Sequence, residues 1–132
     1  MNFDQILFYS HSGVRWLVVA MTLVALAWLI LLAVRSSAYT KTANTIMRIR
    51  STLIGIQWAL GVVLFIALGV FDSAHRWEHA VTLTIALVTA HIHYMLKKRP
   101  DRVRIIGGIV SVLVTLALVY VGVARLPQGW GM

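Results

Sequence analysis

The chain has 132 residues, 60% of them hydrophobic, and a formal charge of +8 from twelve Lys and Arg against four Asp and Glu. Mean hydropathy is +0.85. Only 12% of the residues are charged, against about 25% in an ordinary soluble domain. This excludes a soluble fold and points to a multi-pass membrane protein. With no cysteine, disulfides, Cys-ligated zinc, iron–sulfur clusters and c-type haem attachment are excluded as well.

The N-terminal segment offers Asn2 or Asp4 as the cap of an interfacial turn bearing Ile6-Leu7-Phe8-Tyr9. The first apolar run follows an Asp and precedes no small-residue cleavage site, so no removable signal peptide is expected. Four apolar runs follow, at residues 14–34, 53–71, 80–96 and 105–124. Each is close to the roughly 20 residues that cross a hydrocarbon core of about 30 Å. None shows a period of two, and helices satisfy their own backbone in lipid. The expected fold is therefore all-α, an integral membrane four-helix bundle forming a single domain over residues 1–132.

Orientation follows from Lys and Arg. Arg35, Lys41, Arg48 and Arg50 lie between the first two spans, and Lys97, Lys98, Arg99, Arg102 and Arg104 between the last two. By the positive-inside rule both loops face the cytoplasm and both termini, including the tail Arg125 to Met132, face the periplasm. The basic residues sit in loops rather than on one helical face, so no nucleic-acid partner is expected. Trp16, Trp77 and Trp130 fall near the outer boundary, where amphipathic rings settle. Pro100 stops the third span. Small residues suited to helix contact are Gly55 and Ala59, Ala86 and Ala90, and Gly107, Ser111 and Thr115.

Polar residues inside spans need a reason, because ionisable groups there are expensive. The segment from Trp77 to Arg99 holds His79, His91 and His93, three of the five histidines, and Glu78. Residue heights follow from about 1.5 Å of rise per residue, counted from inner ends at Val34, Ser51, Leu96 and Arg104. His91, Gln57 and Ser111 then share a level in the inner half, a pairing of His91 with Gln57 that would suit a quinone. His79 and Tyr120 share an outer level. Arg15 and Glu78 match in height and oppose in charge, which predicts an ion pair between them.

One b-type haem between helices would use His11 and His79 as axial ligands, although ideal geometry leaves them about 9 Å apart in height. Bland readings stand beside these: interhelical hydrogen bonds for Gln57 and Ser111, an interfacial His11, a capped His79. Whether His91 and His93 face the bundle or lipid is left open by the pattern. Paired carboxylates, a phosphate loop and H-E-x-x-H are absent, so no catalytic activity of its own is expected.

His11-Ser12-Gly13-Val14-Arg15-Trp16, Gln57 with Gly61, Glu78-His79, and Leu126-Pro127 with Trp130 resemble the HSGxRW, QxxxG, EH and tail motifs of a bacterial family of small four-span membrane proteins. Its members are sometimes labelled cytochrome-b-like, and the resemblance covers nearly the whole chain. It implies haem ligands at His11 and His79. The tail Leu-Pro-Gln-Gly-Trp departs from the family's Ile-Pro-Trp run. A weaker similarity, through His11, Ser12 and Arg15, is to the haem-carrying membrane anchors of succinate dehydrogenases. The expected function is a small electron-transport protein of the bacterial inner membrane, associated with other membrane subunits or with itself. The alternative is a cofactor-free assembly or scaffold protein.

Overall fold

The computed structural model describes residues 1–130; Gly131 and Met132, the end of the predicted tail, lie outside the described residues. Four helices form the chain: α1 (Phe3–Val34), α2 (Lys41–Leu68), α3 (Ala74–Ala90) and α4 (Asp101–Ala124), with a 3₁₀ segment at Ile92–Leu96 between the last two. The described residues contain no strand. All four helical stretches are long and apolar enough to cross a membrane, as a multi-pass membrane protein requires.

Each helix begins earlier than its apolar run, for a local reason. At α1, the Asn2 side chain accepts from the Gln5 N–H at 2.9 Å and the Gln5 side chain accepts from the Asn2 N–H at 3.1 Å, a reciprocal capping box. At α2, Thr40 Oγ1 accepts from the Ala43 N–H at 3.1 Å. From there Ala43, Met47, Arg50, Ser51 and Ile54 form one buried stripe at helical spacing. The polar stretch before residue 53 is thus an amphipathic start of the same helix rather than a loop. Ser73 caps α3. Helix α2 stops at Gly69, whose φ of +62° closes the end through its N–H to the Ile66 carbonyl.

The helices form a ring: α1 packs on α2 and α4, and α3 packs on the same two, leaving α1 and α3 on a diagonal. Both termini therefore lie at one end, and the loops around Arg35 and Arg99 at the other. Ala25, Leu29, Leu32, Ala43, Met47, Ile105 and Val112 fill the core of the basic-loop half. Ala86, Val119 and Val123 fill that of the termini half, with Trp130 over them. Close approach of α4 to α1 depends on Gly108, where a Cβ would stand 2.9 Å from Leu29 Cδ1. Ala86 and Ala90 are fully buried as small contact residues. The expected Gly55 and Ala59 contact does not form, since a Cβ at Gly55 meets nothing within 4 Å. Leu17, Leu23, Ile30, Ile66, Val88 and Leu113 instead lie exposed along the outside, an apolar surface that lipid covers.

The third span is not one continuous α-helix. Its α-helical part ends at Ala90, and His91 takes φ −96°, ψ 0° before the 3₁₀ segment. The cause lies in the neighbours. Ser111 Oγ of α4 donates to the Thr89 carbonyl at 2.6 Å, and Arg50 Nη2 of α2 donates to the Ala90 carbonyl at 3.0 Å. With those acceptors taken, the following N–H groups bond three residues back, as Tyr94 does to His91.

Candidate functional site

At the termini end, His11 of α1 and His79 of α3 meet across the diagonal, with ring centres 6.4 Å apart and planes at 81°. The height difference expected from ideal helices is reduced by the 3₁₀ segment. Five residues of 3₁₀ helix below α3 rise about 2 Å each rather than 1.5 Å and lift His79 by about 2–3 Å.

Each imidazole is held from behind. His79 Nδ1 lies 2.8 Å from the Gly122 carbonyl oxygen on α4. A carbonyl can only accept, so Nδ1 carries the proton and Nε2 keeps its lone pair. Gln57 Nε2 of α2 donates to the His11 carbonyl at 2.8 Å and stands 3.5 Å from His11 Nε2. Gly61 makes room for this ring, because a Cβ there would come within 3.0 Å of His11 Cε1. Two buried polar atoms of the cluster, His11 Nδ1 and Gln57 Oε1, have no hydrogen-bond partner.

Arg15, one turn after His11, is 6% exposed. Its guanidinium lies 5.0 Å from the Trp16 ring centre and 5.4 Å from that of Trp130. Tyr120 stacks on the same Trp130 at 6.0 Å, and Trp130 Nε1 donates to the Tyr120 carbonyl at 3.3 Å. The aromatic residues expected at one boundary do gather at one end. Arg15 is also within electrostatic reach of both histidines.

The predicted Arg15–Glu78 ion pair is corrected. Glu78 faces Arg125 instead, Oε2 to Nε 4.0 Å, with both side chains about half exposed. Matching heights are insufficient: Arg15 points from α1 toward Trp130, whereas Glu78 sits on the outer surface of α3. A pair so exposed adds little stability.

The pairing of Gln57 with His91 is corrected as well. Helix α2 begins at Lys41 rather than near Ser51, which moves Gln57 toward the termini end and onto His11. His91 lies twelve residues beyond His79, about 18 Å further along the bundle. Its Nδ1 donates to its own helix at the Leu87 carbonyl, 2.8 Å, and its ring stacks on Tyr94. Ser111 does lie at that level, bonded to Thr89. The orientation left open by the sequence is settled for His93, which is 6% exposed and bonds Ser51 Oγ through Nε2 at 3.2 Å.

Sequence reasoning missed Arg50 altogether. Read as one of the topology-setting cations, it is in fact fully buried, the largest such side chain of the fold. The signal was its place on the buried stripe of Met47, Arg50 and Ile54.

The described residues hold no group of three or more His, Cys, Asp or Glu side chains placed to bind a metal ion. His11 and His79 thus stand as two nitrogen donors with no third among the described residues. Comparison with known proteins adds no relative: no family model, no curated protein and no solved structure matches the chain.

Proposed function

We propose that the protein binds one haem b between His11 and His79 and serves as a one-electron carrier in a membrane electron-transport system. The observation that carries this reading is the 6.4 Å between the two ring centres. Imidazoles bonded on opposite sides of one ion, at about 2 Å each, hold their ring centres about 6 Å apart. The Gly122 carbonyl supports it further: a ligating histidine characteristically donates its other N–H to a carbonyl or carboxylate, which fixes its tautomer and orientation.

Gln57 holds His11 differently, through its backbone: Nε2 donates to the His11 carbonyl at 2.8 Å, and His11 Nδ1 is left without a hydrogen-bond partner. Arg15 supplies positive charge beside the pair, where the carboxylates of a haem would gain from it. The haem supplies the reversible one-electron redox change; the chain supplies ligation, burial and local charge. The resemblance of residues 11–16, 57–61 and 78–79 to the cytochrome-b-like family agrees with this assignment. In the same reading the termini end faces the periplasm of a bacterial inner membrane, and the exposed apolar flanks meet lipid and neighbouring membrane subunits.

A reduced-minus-oxidised visible spectrum of the detergent-purified protein, with a pyridine haemochrome count, tests the proposal. The expected result is a b-type spectrum near one haem per chain that His79→Ala abolishes. Folded protein expressed with haem available but colourless would reject it and leave the scaffold reading, in which the His11, Gln57 and His79 contacts serve only to join helices.

A further inference from the structure

The opposite end of the bundle carries a second site built around Arg50. Its side chain is 0% exposed. A guanidinium has five N–H donors, and here Nη2 donates to the Ala90 carbonyl while Nε and Nη1 have no hydrogen-bond partner. Among the described residues no carboxylate pairs with it. Asp4, Asp72 and Glu78 belong to the termini end, and Asp101 is exposed at the start of α4.

The surroundings add positive charge rather than neutralise it. Arg104 lies over the Tyr39 ring at 4.0 Å, and the Tyr39 phenol also feels Arg50. Arg48, Arg50 and Arg104 are all within electrostatic reach of buried His93. Hydroxyl groups complete the cluster: Ser51 Oγ donates to the Arg48 carbonyl at 3.1 Å and accepts from His93 Nε2 at 3.2 Å, and Tyr94 Oη stands 3.5 Å from Ser51 Oγ. Tyr94 is 42% exposed, so the cluster reaches the bundle surface at the level of the basic loops.

A buried cation without a counter-charge is strongly unfavourable, and near a membrane it marks a binding function. Arginine beside further cations and a tyrosine hydroxyl selects an oxyanion, above all phosphate. We infer that the cluster of Arg50, Arg104, His93, Ser51 and Tyr94 binds a phosphate group, carried by an anionic lipid headgroup or by free inorganic phosphate. The site is independent of the histidine pair. It ties α2, the 3₁₀ segment and α4 together at the basic-loop end.

The test uses the full chain in a phosphorus-free maltoside detergent. Short-chain phosphatidylglycerol, short-chain phosphatidylcholine and inorganic phosphate are titrated separately while the thermal midpoint is followed. Wild type should gain several degrees with phosphatidylglycerol alone if a lipid headgroup is bound, or with inorganic phosphate as well if the free anion suffices. Loss of one charged hydrogen-bond partner should weaken the apparent affinity about 10- to 100-fold in Arg50→Gln. Far-UV circular dichroism checks that this variant folds; if it does not, the half-buried Arg104→Gln is read in its place and should lose about tenfold. No rise in wild type with either anion, an equal rise with phosphatidylcholine, or a rise kept in the folded variant would overturn the assignment.

Discussion

The carbonyl oxygen of Gly122 receives the Nδ1–H of His79 at 2.8 Å, joining the last turn of α4 to the second turn of α3. The last carbonyls of a helix have no intrahelical partner, so this bond satisfies an acceptor while fixing a ring. It depends on close approach, because a Cβ at Gly122 would run into Leu83 and stand 3.3 Å from Thr82 Cγ2. Gly122→Val should push α4 away and destabilise the bundle by about 1–3 kcal/mol. Thermal unfolding measures the loss, and if the proposed haem is bound a changed absorbance band should accompany it. An unchanged midpoint would show that α3 and α4 are not held together here.

Gln57→Leu keeps the volume near His11 but removes the 2.8 Å bond to the His11 carbonyl. Interhelical hydrogen bonds in membranes average about 0.6 kcal/mol and reach about 1.7. The expected loss is thus about 0.5–1.5 kcal/mol in a denaturant titration, and no loss would demote Gln57 to a bystander.

The four spans were legible because apolar runs of membrane length have few alternatives, and the ends were not because hydropathy ceases before helicity does. Thr40 caps an amphipathic start that contains Arg48 and Arg50, so a count from Ser51 placed Gln57 with His91 rather than with His11. Height was readable where the helix was regular, azimuth was not. Arg15 and Glu78 matched in height yet turned to different neighbours. The faces of His91 and His93 stayed open for the same reason, because a 3₁₀ step turns about 120° per residue rather than 100° and a constant helical period does not follow it. Arg50 was hidden by the rule that explains its companions, since a cation near a span end is normally a topology signal.

Ser36 holds φ +51° in the turn that ends α1, with its N–H bonded to the Ala33 carbonyl and that of Ser37 to the Leu32 carbonyl. This left-handed cap favours glycine, and an L-residue there gives up roughly 1 kcal/mol. Greater freedom of glycine in the unfolded chain offsets part of the gain. Ser36→Gly should therefore stabilise by about 0.5 kcal/mol, read as a small rise in thermal midpoint; a fall would contradict the turn.

Burial pushes the Tyr39 phenol above its ordinary pKa, against the opposing pull of Arg104 and Arg50. For an acid whose pKa is raised by folding, the folded state holds the proton longer than the unfolded one. Stability is then fully present below the ordinary tyrosine pKa near 10 and falls as pH rises through the higher folded value. Tyr39→Phe should flatten the alkaline limb of a stability–pH profile above pH of about 10. An unchanged limb would show that Tyr39 titrates freely.

Sidedness can be read directly because the chain has no cysteine. Ala38 lies in the loop between α1 and α2, at the end that carries nine of the twelve Lys and Arg residues, and Asp72 lies in the loop between α2 and α3 at the other end. Both positions are exposed, so single cysteines there should leave the bundle intact. If positive charge keeps the first loop in the cytoplasm, a membrane-impermeant maleimide added to spheroplasts should label Asp72→Cys and spare Ala38→Cys until the cells are opened. The reverse pattern would place the histidine pair at the cytoplasmic face and the Arg50 cluster at the periplasmic one.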